Sequence, residues 1–239
     1  TICMKGVNEC GDSTYCCDIN VTLNNISSFF QIETNNTCVG GFTEFEELSS
    51  NSYPNATVNW WFDYDGNGLA PSSTPDDSRA YIPGEIIQYE YPNAGVYFVY
   101  HKITSPPPTI YTDWNISDSI FVYPKPEITF TYNDVCVYTQ ITFTNNSTIN
   151  NNIAGMPSQN INTVKWYIND ILVSQSFDLT HIFNSPGVKE IKLECWSNFN
   201  CYSVDSILIN VFDQPVPNFT TSFLCEDDIT FFDATSSSG

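Results

Sequence analysis

The segment from Pro126 to Val211 carries the feature that most limits how this chain can fold. It is a series of short stretches in which apolar and polar residues alternate, as Ile128, Phe130 and Tyr132 alternate with threonines. Because side chains two positions apart on an extended strand share one face, such stretches predict half-buried β-strands. Trp166 lies in one of these stretches, where its ring can fill the space between two sheets. The segment therefore predicts one complete β-sandwich.

A fixed spacing between an apolar residue and a cysteine occurs three times along the chain. The pairs, each six residues apart, are Ile32 with Cys38, Phe130 with Cys136 and Phe219 with Cys225. The cysteines themselves are 98 and 89 residues apart, and sandwich domains run to about 100 residues. We therefore predict an all-β chain of four parts. They are a cysteine-rich segment 1–27, sandwiches 28–123 and 124–212, and a segment 213–239 that supplies the first strands of a third module or a donor strand.

The two sandwiches share a further order of residues. The first has Trp61-Phe62-Asp63, Tyr89-x-Tyr91 and Ala94-Gly95, and the second has Trp166-Tyr167-Ile168, His181-x-Phe183 and Pro186-Gly187. This order resembles the PKD (polycystic kidney disease) family, a group of Ig-like sandwiches common in bacterial cell-surface proteins. The resemblance covers roughly residues 28–239 and implies modules that space or adhere. Trp60 and Trp61 are neighbours and point to opposite faces of a strand, so only one of them can enter the core.

Charge and composition indicate the compartment and exclude one class of partner. Nine cysteines and an abundance of Asn-x-Ser/Thr sequons point to an oxidising, extracellular setting. The chain has 7 basic and 27 acidic residues and a net charge of −20. Nucleic acid is therefore excluded as a natural partner, because phosphate binding needs clustered lysine and arginine. No apolar stretch is long enough to predict a membrane span.

Glycans are the covalent additions that the sequence predicts. The sequons begin at Asn20, Asn25, Asn35, Asn55, Asn115, Asn145, Asn146 and Asn218. Asn145 and Asn146 are adjacent and are not both expected to carry a glycan. Three triplets in which Asp-Ser is followed by an aliphatic residue or threonine, at Ser13, Ser119 and Ser206, offer O-linked sites as the alternative.

The cysteines predict a disulfide framework. The resemblance implies that Cys136 pairs with Cys201, with Cys195 as the alternative partner. The first sandwich has no second cysteine, so Cys38 is expected to pair with a cysteine of the N-terminal segment, namely Cys3, Cys10, Cys16 or Cys17. That segment is expected to be a disulfide-stapled loop rather than a zinc site, since the only histidines lie far away in the sequence. The partner of Cys225 is expected beyond Gly239.

One loop combines the residues of a calcium site with those of a turn. Asp63, Asp65, Asn67 and Gly68 match the start of a D-x-[DN]-x-[DN]-G loop, whose oxygen ligands suit Ca²⁺. Thr74 stands where such a loop has its bidentate glutamate, and the additional ligands would be Asp76 and Asp77. The same residues also favour an ordinary hairpin turn. Calcium is the one cofactor that the sequence suggests.

Three functions follow as expectations. The first is a structural subunit of an extracellular, glycosylated filament or surface fibre, which self-associates by strand addition or by end-to-end module contacts. The second is an adhesin or carbohydrate-binding module, in which exposed Trp60, Trp114 or Tyr111 would stack on sugar rings. The third is a non-catalytic part of a secreted hydrolase. No nucleophile elbow, phosphate loop or zinc-protease motif occurs in the sequence, and we predict no enzymatic activity.

Overall fold

The computed structural model describes residues 2–18, 26–34, 36–51, 53–108, 110–133, 135–222 and 229–238, and these residues form an all-β protein. The strands are β1 Ile2–Asn8, β2 Gly11–Cys17, β3 Ile26–Ser27, β4 Phe30–Ile32, β5 Asn36–Cys38, β6 Phe42–Glu47, β7 Ser50–Asn51, β8 Thr57–Tyr64, β9 Asp77–Ala80, β10 Ile86–Glu90, β11 Gly95–Thr104, β12 Thr112–Ile116, β13 Ile120–Tyr123, β14 Phe130–Thr131, β15 Gln140–Asn145, β16 Ile161–Ile168, β17 Ile171–Ser174, β18 Leu179–Ile182, β19 Gly187–Ser197, β20 Tyr202–Val211, β21 Thr220–Thr221 and β22 Phe232–Asp233. No helix occurs in these ranges, so none there is long and apolar enough to cross a membrane.

The chain divides into two compact units. Unit 1 comprises Thr1–Glu33, Glu44–Ile87 and Phe98–Asp118, and unit 2 comprises Thr34–Thr43, Gln88–Tyr97 and Ser119–Gly239. Strands β10 and β11 each contribute residues to both units. This division does not coincide with the predicted module boundaries, which stay predictions.

The core of unit 1 lies between two sheets. One contains β4, β6 and β10, and the other contains β9, β8, β11 and β12. The predicted alternation is visible in β8, where Val58, Trp60 and Phe62 are buried and the residues between them are partly exposed. In an antiparallel sheet such alternation places one face on the core and the other towards solvent.

A triad of aromatic rings fills this core and occurs again in unit 2. The ring of Trp60 lies 5.1 Å from Phe30, edge-on, and 5.9 Å from Phe45. In unit 2 the ring of Trp166 lies 5.1 Å from Phe130, also edge-on, and 6.2 Å from Phe143. Both tryptophans are completely buried. Edge-to-face packing of this kind stabilises aromatic pairs beyond the burial of their area.

The repeated triad corrects the predicted alignment of the two sandwiches, by one residue at the tryptophan and by two at the first phenylalanine. Trp60, not Trp61, occupies the position of Trp166, and Phe30, not Ile32, occupies that of Phe130. The prediction aligned Trp61-Phe62-Asp63 with Trp166-Tyr167-Ile168 by residue order. In the structure, the equivalent residue is the tryptophan whose side chain faces the core. Other predicted matches agree with the structure. Gly95 and Gly187 each open a long strand.

The second sandwich is contained in unit 2. Its sheets are β14–β15–β18 and β17–β16–β19–β20, and its core joins Trp166 to Leu179, Ile191 and Leu193. Asn169 and Asp170 both have positive φ and form the two-residue loop of the β16–β17 hairpin. This is the backbone that a type I′ turn requires.

Each end of the chain forms a small two-stranded sheet. In β1–β2 every residue is exposed, and the disulfide Cys3–Cys16 joins the two strands. In and beside β21–β22 the exposed apolar side chains are Phe219, Ile229, Phe231 and Phe232. A two-stranded sheet with no buried face is marginally stable in water, so the C-terminal pair needs further contacts to persist.

Candidate functional site

The outer face of the β8–β11–β12 sheet in unit 1 carries an aromatic cluster. Tyr100 is almost fully buried beneath Trp61, Tyr64 and Trp114. The ring of Trp114 stacks on Tyr100 at 5.5 Å and remains 50% exposed. The register of β8 against β11 shifts between Phe98 and Tyr100. Since such a bulge re-aims the side chains that follow it, Tyr64 joins this outer cluster.

A cleft of about 370 Å³ opens beside this cluster. Its lining includes Trp61, Asp63, Asp65, Asn67 and Leu69. The indole nitrogen of Trp61 donates to the carbonyl of Ser73 at 3.1 Å, which fixes the ring at the wall of the cleft. Tyr64 donates its hydroxyl hydrogen towards Asn67 Oδ1 and the Leu69 carbonyl. The cleft therefore combines an aromatic wall with carboxylates and an amide.

Four of the five residues predicted to bind calcium, Asp65, Asn67, Asp76 and Asp77, form hydrogen bonds or an ion pair within the protein. Asp65 accepts hydrogen bonds from the backbone and the side chain of Asn67, and Asp76 accepts one from the Phe62 backbone at 2.7 Å. Asp77 forms an ion pair with Arg79. Within the described ranges, no three His, Cys, Asp or Glu side chains gather closely enough to hold a metal ion. Calcium binding by Asp63 and its neighbours stays a prediction.

The three aromatic residues predicted to stack on sugar have different environments. The prediction that Trp60 stacks on sugar is wrong, because Trp60 lies in the core with no exposed surface. Trp114 is half-exposed, as the prediction needs. Tyr111 is 39% exposed but already stacks on Tyr53 at 5.7 Å. Trp61, Tyr64 and Tyr100 were missed. Tyr64 was missed because the bulge in β8 leaves no mark on the alternation of residues, and Trp61 because it was matched to the core tryptophan Trp166.

Cys38 forms a disulfide with Cys201, with the two Cα atoms 5.6 Å apart. Strand β5 pairs in parallel with β13, which places Cys38 opposite Tyr123. The ring of Tyr123 stacks on Phe199 at 4.0 Å with an interplanar angle of 7°. The backbone nitrogen of Val39 also donates to the Tyr123 carbonyl at 3.0 Å. We call these four residues, Cys38, Tyr123, Phe199 and Cys201, the clamp.

The clamp overturns the predicted partners of Cys136 and Cys38. Cys136 is bridged to Phe212, just after β20, whereas Cys201 lies just before β20. A strand of 10 residues spans roughly 33 Å, and disulfide Cα atoms lie within about 7 Å. Cys195 faces Ser203 near the same far end, so it is also out of reach. The N-terminal cysteines are not partners of Cys38, because Cys3 and Cys16 lie opposite each other in one hairpin and bond there.

Four described cysteines are free thiols. Cys10 and Cys17 are exposed, Cys136 is partly exposed and Cys195 is buried. Burial raises the pKa of the Cys195 thiol, and hydrogen bonds with Ser147 and Asn145 oppose that shift. Cys225, whose partner was expected beyond Gly239, lies outside the described residues.

A polar cluster lies inside unit 1, beside Trp60. Ser28 Oγ is 2.7 Å from His101 Nδ1, and His101 Nε2 is 2.8 Å from Glu47 Oε2. The side chains of His101 and Glu47 have no exposed surface, and no well-aligned hydrogen bond joins them. Glu47 also accepts a hydrogen bond from the Ser49 backbone at 2.8 Å. Ser, His and Glu also form hydrolytic triads, but this serine is enclosed and cannot contact a substrate.

The positions of the second sandwich that correspond to Glu47 and His101 carry different residues. Trp60 lies opposite His101, and Trp166 lies opposite Leu193. Phe30 lies opposite Glu47, and Phe130 lies opposite Asn145. A buried acid and histidine in one module thus correspond to an amide and a leucine in the other. The sequence signal is a glutamate at an inward position of β6, and sequence analysis did not identify it.

The predicted glycosylation sites differ in their exposure. The prediction of a glycan at Asn145 is wrong, because this side chain points into the sandwich and is only 5% exposed. The adjacent Asn146 is exposed. Asn55, Asn218, Ser13 and Ser206 are exposed, and Asn115 and Ser119 are half-buried. Asn20, Asn25 and Asn35 lie outside the described residues. Occupancy of every exposed site stays a prediction.

Comparisons with known proteins reach only remote similarities. No family model and no curated protein matches the chain. Similar solved structures include the fibronectin(III)-like modules of Clostridium thermocellum CbhA, at 13% identity and a TM-score of 0.35, covering 77% of this chain and 95% of that one. A putative membrane anchored protein from Corynebacterium diphtheriae has 14% identity and a TM-score of 0.33, covering 77% and 53%. The D00-D0 domain of intimin has 14% identity and a TM-score of 0.28, covering 77% and 100%. The Ig-like description therefore rests on the strand order and the aromatic cores.

The buried Glu47–His101 pair generates a stability prediction. His101→Leu copies the second sandwich at one position and leaves Glu47 buried without its partner. We expect this variant to lose about 3–5 kcal/mol of unfolding free energy, the usual cost of removing one partner of a buried pair. Urea denaturation followed by tryptophan fluorescence measures the loss.

The matched control is the double variant Glu47→Asn/His101→Leu, which copies the Asn145–Leu193 pair. It should recover most of the lost stability, because the buried carboxylic acid is removed together with its histidine partner. A single variant as stable as the native chain would show that the pair is not coupled.

Proposed function

We propose that this chain is a structural protein of an extracellular surface fibre, built from Ig-like modules joined end to end. We also propose that its modules are related to the PKD family and that the chain has no catalytic activity. Isolated modules on a flexible linker would bear load at the linker. A disulfide between the predicted modules would remove that weak point, although both of its cysteines belong to unit 2.

The single observation that carries this proposal is the clamp. It joins Cys38, from the predicted first sandwich, to Cys201, from the predicted second sandwich, across 163 residues of sequence. The Tyr123–Phe199 stack lies beside it, and Cys201 Sγ is 3.9 Å from the Tyr123 carbonyl. A covalent bond and a stacked pair together fix this contact. Disulfides persist in oxidising compartments, which supports an extracellular location.

Self-association is supported by the C-terminal segment. Residues 213–222 and 229–238 expose Val216, Phe219, Ile229, Phe231 and Phe232, each by 60% or more. Contiguous exposed apolar side chains mark interaction sites. End-to-end contact with a further module would cover them. Strand addition to the open edge of β17, where Ile171, Leu172 and Val173 are exposed, is the second mode.

The aromatic face of unit 1 favours a second candidate function, binding of neutral glycans. Half-exposed Trp114 stacks on Tyr100, and the adjacent cleft supplies the Asp63 and Asp65 carboxylates. Aromatic faces pack on the apolar faces of sugar rings, while carboxylates accept hydrogen bonds from hydroxyl groups. The net charge of −20 and these two carboxylates disfavour anionic polysaccharides.

The mechanical prediction follows from the clamp. Pulled from its two ends without reductant, the native chain should extend less than a Cys38→Ser/Cys201→Ser variant. The 163-residue difference in sequence position corresponds to roughly 55 nm, at about 3.4 Å per residue. Single-molecule force spectroscopy measures it. With reductant the two lengths should agree, and equal lengths without reductant would remove the clamp from the proposal.

Assembly is tested by sedimentation velocity and negative-stain imaging over a range of concentrations. The native chain should associate, and Phe231→Ser/Phe232→Ser should shift association to at least about tenfold higher concentration, because it removes exposed apolar area. Leu208→Lys, which alters a 71% exposed residue on β20, is the matched control and should behave as the native chain. A strictly monomeric native protein would contradict fibre assembly.

Glycan binding is tested by affinity electrophoresis in gels containing neutral or anionic polysaccharides. Trp114→Ala should abolish retardation in the neutral gels, because the exposed stacking surface is lost. Trp196→Ala removes a partly exposed tryptophan of the second sandwich and should leave retardation unchanged. Absence of retardation in every neutral gel would eliminate this candidate.

A further inference from the structure

The second sandwich carries counterparts of the two residues, Cys38 and Tyr123, that the first contributes to the clamp. Cys38 lies opposite Tyr123 in a parallel pairing, and Cys136 lies opposite Phe212 in a parallel bridge. Val39 donates its backbone hydrogen to the Tyr123 carbonyl at 3.0 Å, and Val137 donates its own to the Phe212 carbonyl at 3.0 Å. The two pairs therefore occupy equivalent places in their modules.

The two pairs differ in whether they are covered. Tyr123 is 4% exposed and stacked on Phe199, whereas Phe212 is 52% exposed. Cys38 is bonded, whereas Cys136 is a free, partly exposed thiol. A cleft of about 260 Å³ adjoins Cys136 and is lined also by Thr139 and Gln140. The Cys136–Phe212 pair is thus an accessible half of a clamp.

The occupied clamp shows which partner fits. It is the turn between β19 and β20, in which Phe199 precedes Cys201 by two residues. This turn is held by Ser197, whose Oγ accepts from the backbone nitrogen of Cys201 at 3.1 Å. An aromatic ring and a thiol at that spacing reach the exposed ring and the thiol of the preceding module together.

We propose that Cys136 and Phe212 form a docking site for the corresponding turn of a third Ig-like module, which closes a second clamp. The module that fits is one that follows along the polypeptide. Phe212 precedes Phe219 by seven residues, as Tyr123 precedes the core residue Phe130 by seven. A second copy of this chain does not fit, because its Cys201 is already bonded to its own Cys38. The corresponding turn of the first sandwich does not fit either, because it has no cysteine between β11 and β12.

The disulfide between Cys136 and the turn cysteine forms by thiol–disulfide exchange. The Cys136 and turn thiols each lose a proton and together lose two electrons to a small disulfide such as oxidised glutathione, which becomes two thiols. The exposed Phe212 ring holds the incoming turn while exchange proceeds. This inference rests on the proposed end-to-end joining of modules, and it assigns the site of the next joint.

The test uses the 239-residue protein and a synthetic turn peptide with the sequence of Trp196–Tyr202. The peptide cysteine is activated as a mixed disulfide with thionitrobenzoate. Cys136 attacks the peptide sulfur, forms the new disulfide and expels thionitrobenzoate, which is followed by absorbance. Peptide mapping assigns the rate to each cysteine. The matched peptide replaces its phenylalanine, the counterpart of Phe199, by serine.

We expect the phenylalanine peptide to react at Cys136 on the order of tenfold faster than the serine peptide, because the stacked ring raises the local concentration of the thiol partner. At exposed Cys10 and Cys17 the two peptides should react equally, which controls for intrinsic reactivity. Phe212→Ser should remove the preference at Cys136. Equal rates at Cys136, or no reaction there, would overturn the docking site. That failure would leave the force measurement on Cys38–Cys201 unaffected, so the two proposals fail separately.

Discussion

Packing of a single tryptophan against two phenylalanines from the opposite sheet is the interaction on which each sandwich depends. In both modules the tryptophan comes from a central strand, and the phenylalanines come from two neighbouring strands of the facing sheet. These three rings set the separation of the sheets and the inward register of their strands. A one-residue slip would turn every inward side chain outward, so the triad also fixes which residues can form surface sites.

The two modules show that this frame tolerates very different polar neighbours. Beside one triad lie a buried glutamate and a histidine, and beside the other lie an amide and a leucine. An ion pair in a core costs desolvation that a leucine does not, and it rarely adds stability over a well-packed apolar pair. We infer that the pair at Glu47 and His101 contributes specificity of packing rather than net stability. It excludes arrangements in which either group lacks its partner.

The sequence predicted the class of fold because alternation and aromatic enrichment are local properties. The strand-rich modules and the glycines that open β11 and β19 follow from short-range rules. The choice between Trp60 and Trp61 did not follow, since both satisfy alternation and only the facing phenylalanines distinguish them. Cys38 was assigned the wrong partner for a related reason. Its true partner lies 163 residues away and is brought near by a parallel pairing and a ring stack, neither of which leaves a periodic signal.

The clamp also changes what cleavage of the backbone does to the molecule. A protease that cuts between Cys38 and Cys201 separates the chain into two pieces, but each piece retains one of the two bonded sulfurs. The pieces stay covalently attached until a reductant opens the bond. Most surface loops of both sandwiches, including the proline-rich stretch at 106–108 and the long polar stretch after β15, fall inside that interval. A single nick in one of these loops therefore does not release a fragment, and the covalent continuity of the polypeptide survives a cut that would sever an unbridged chain.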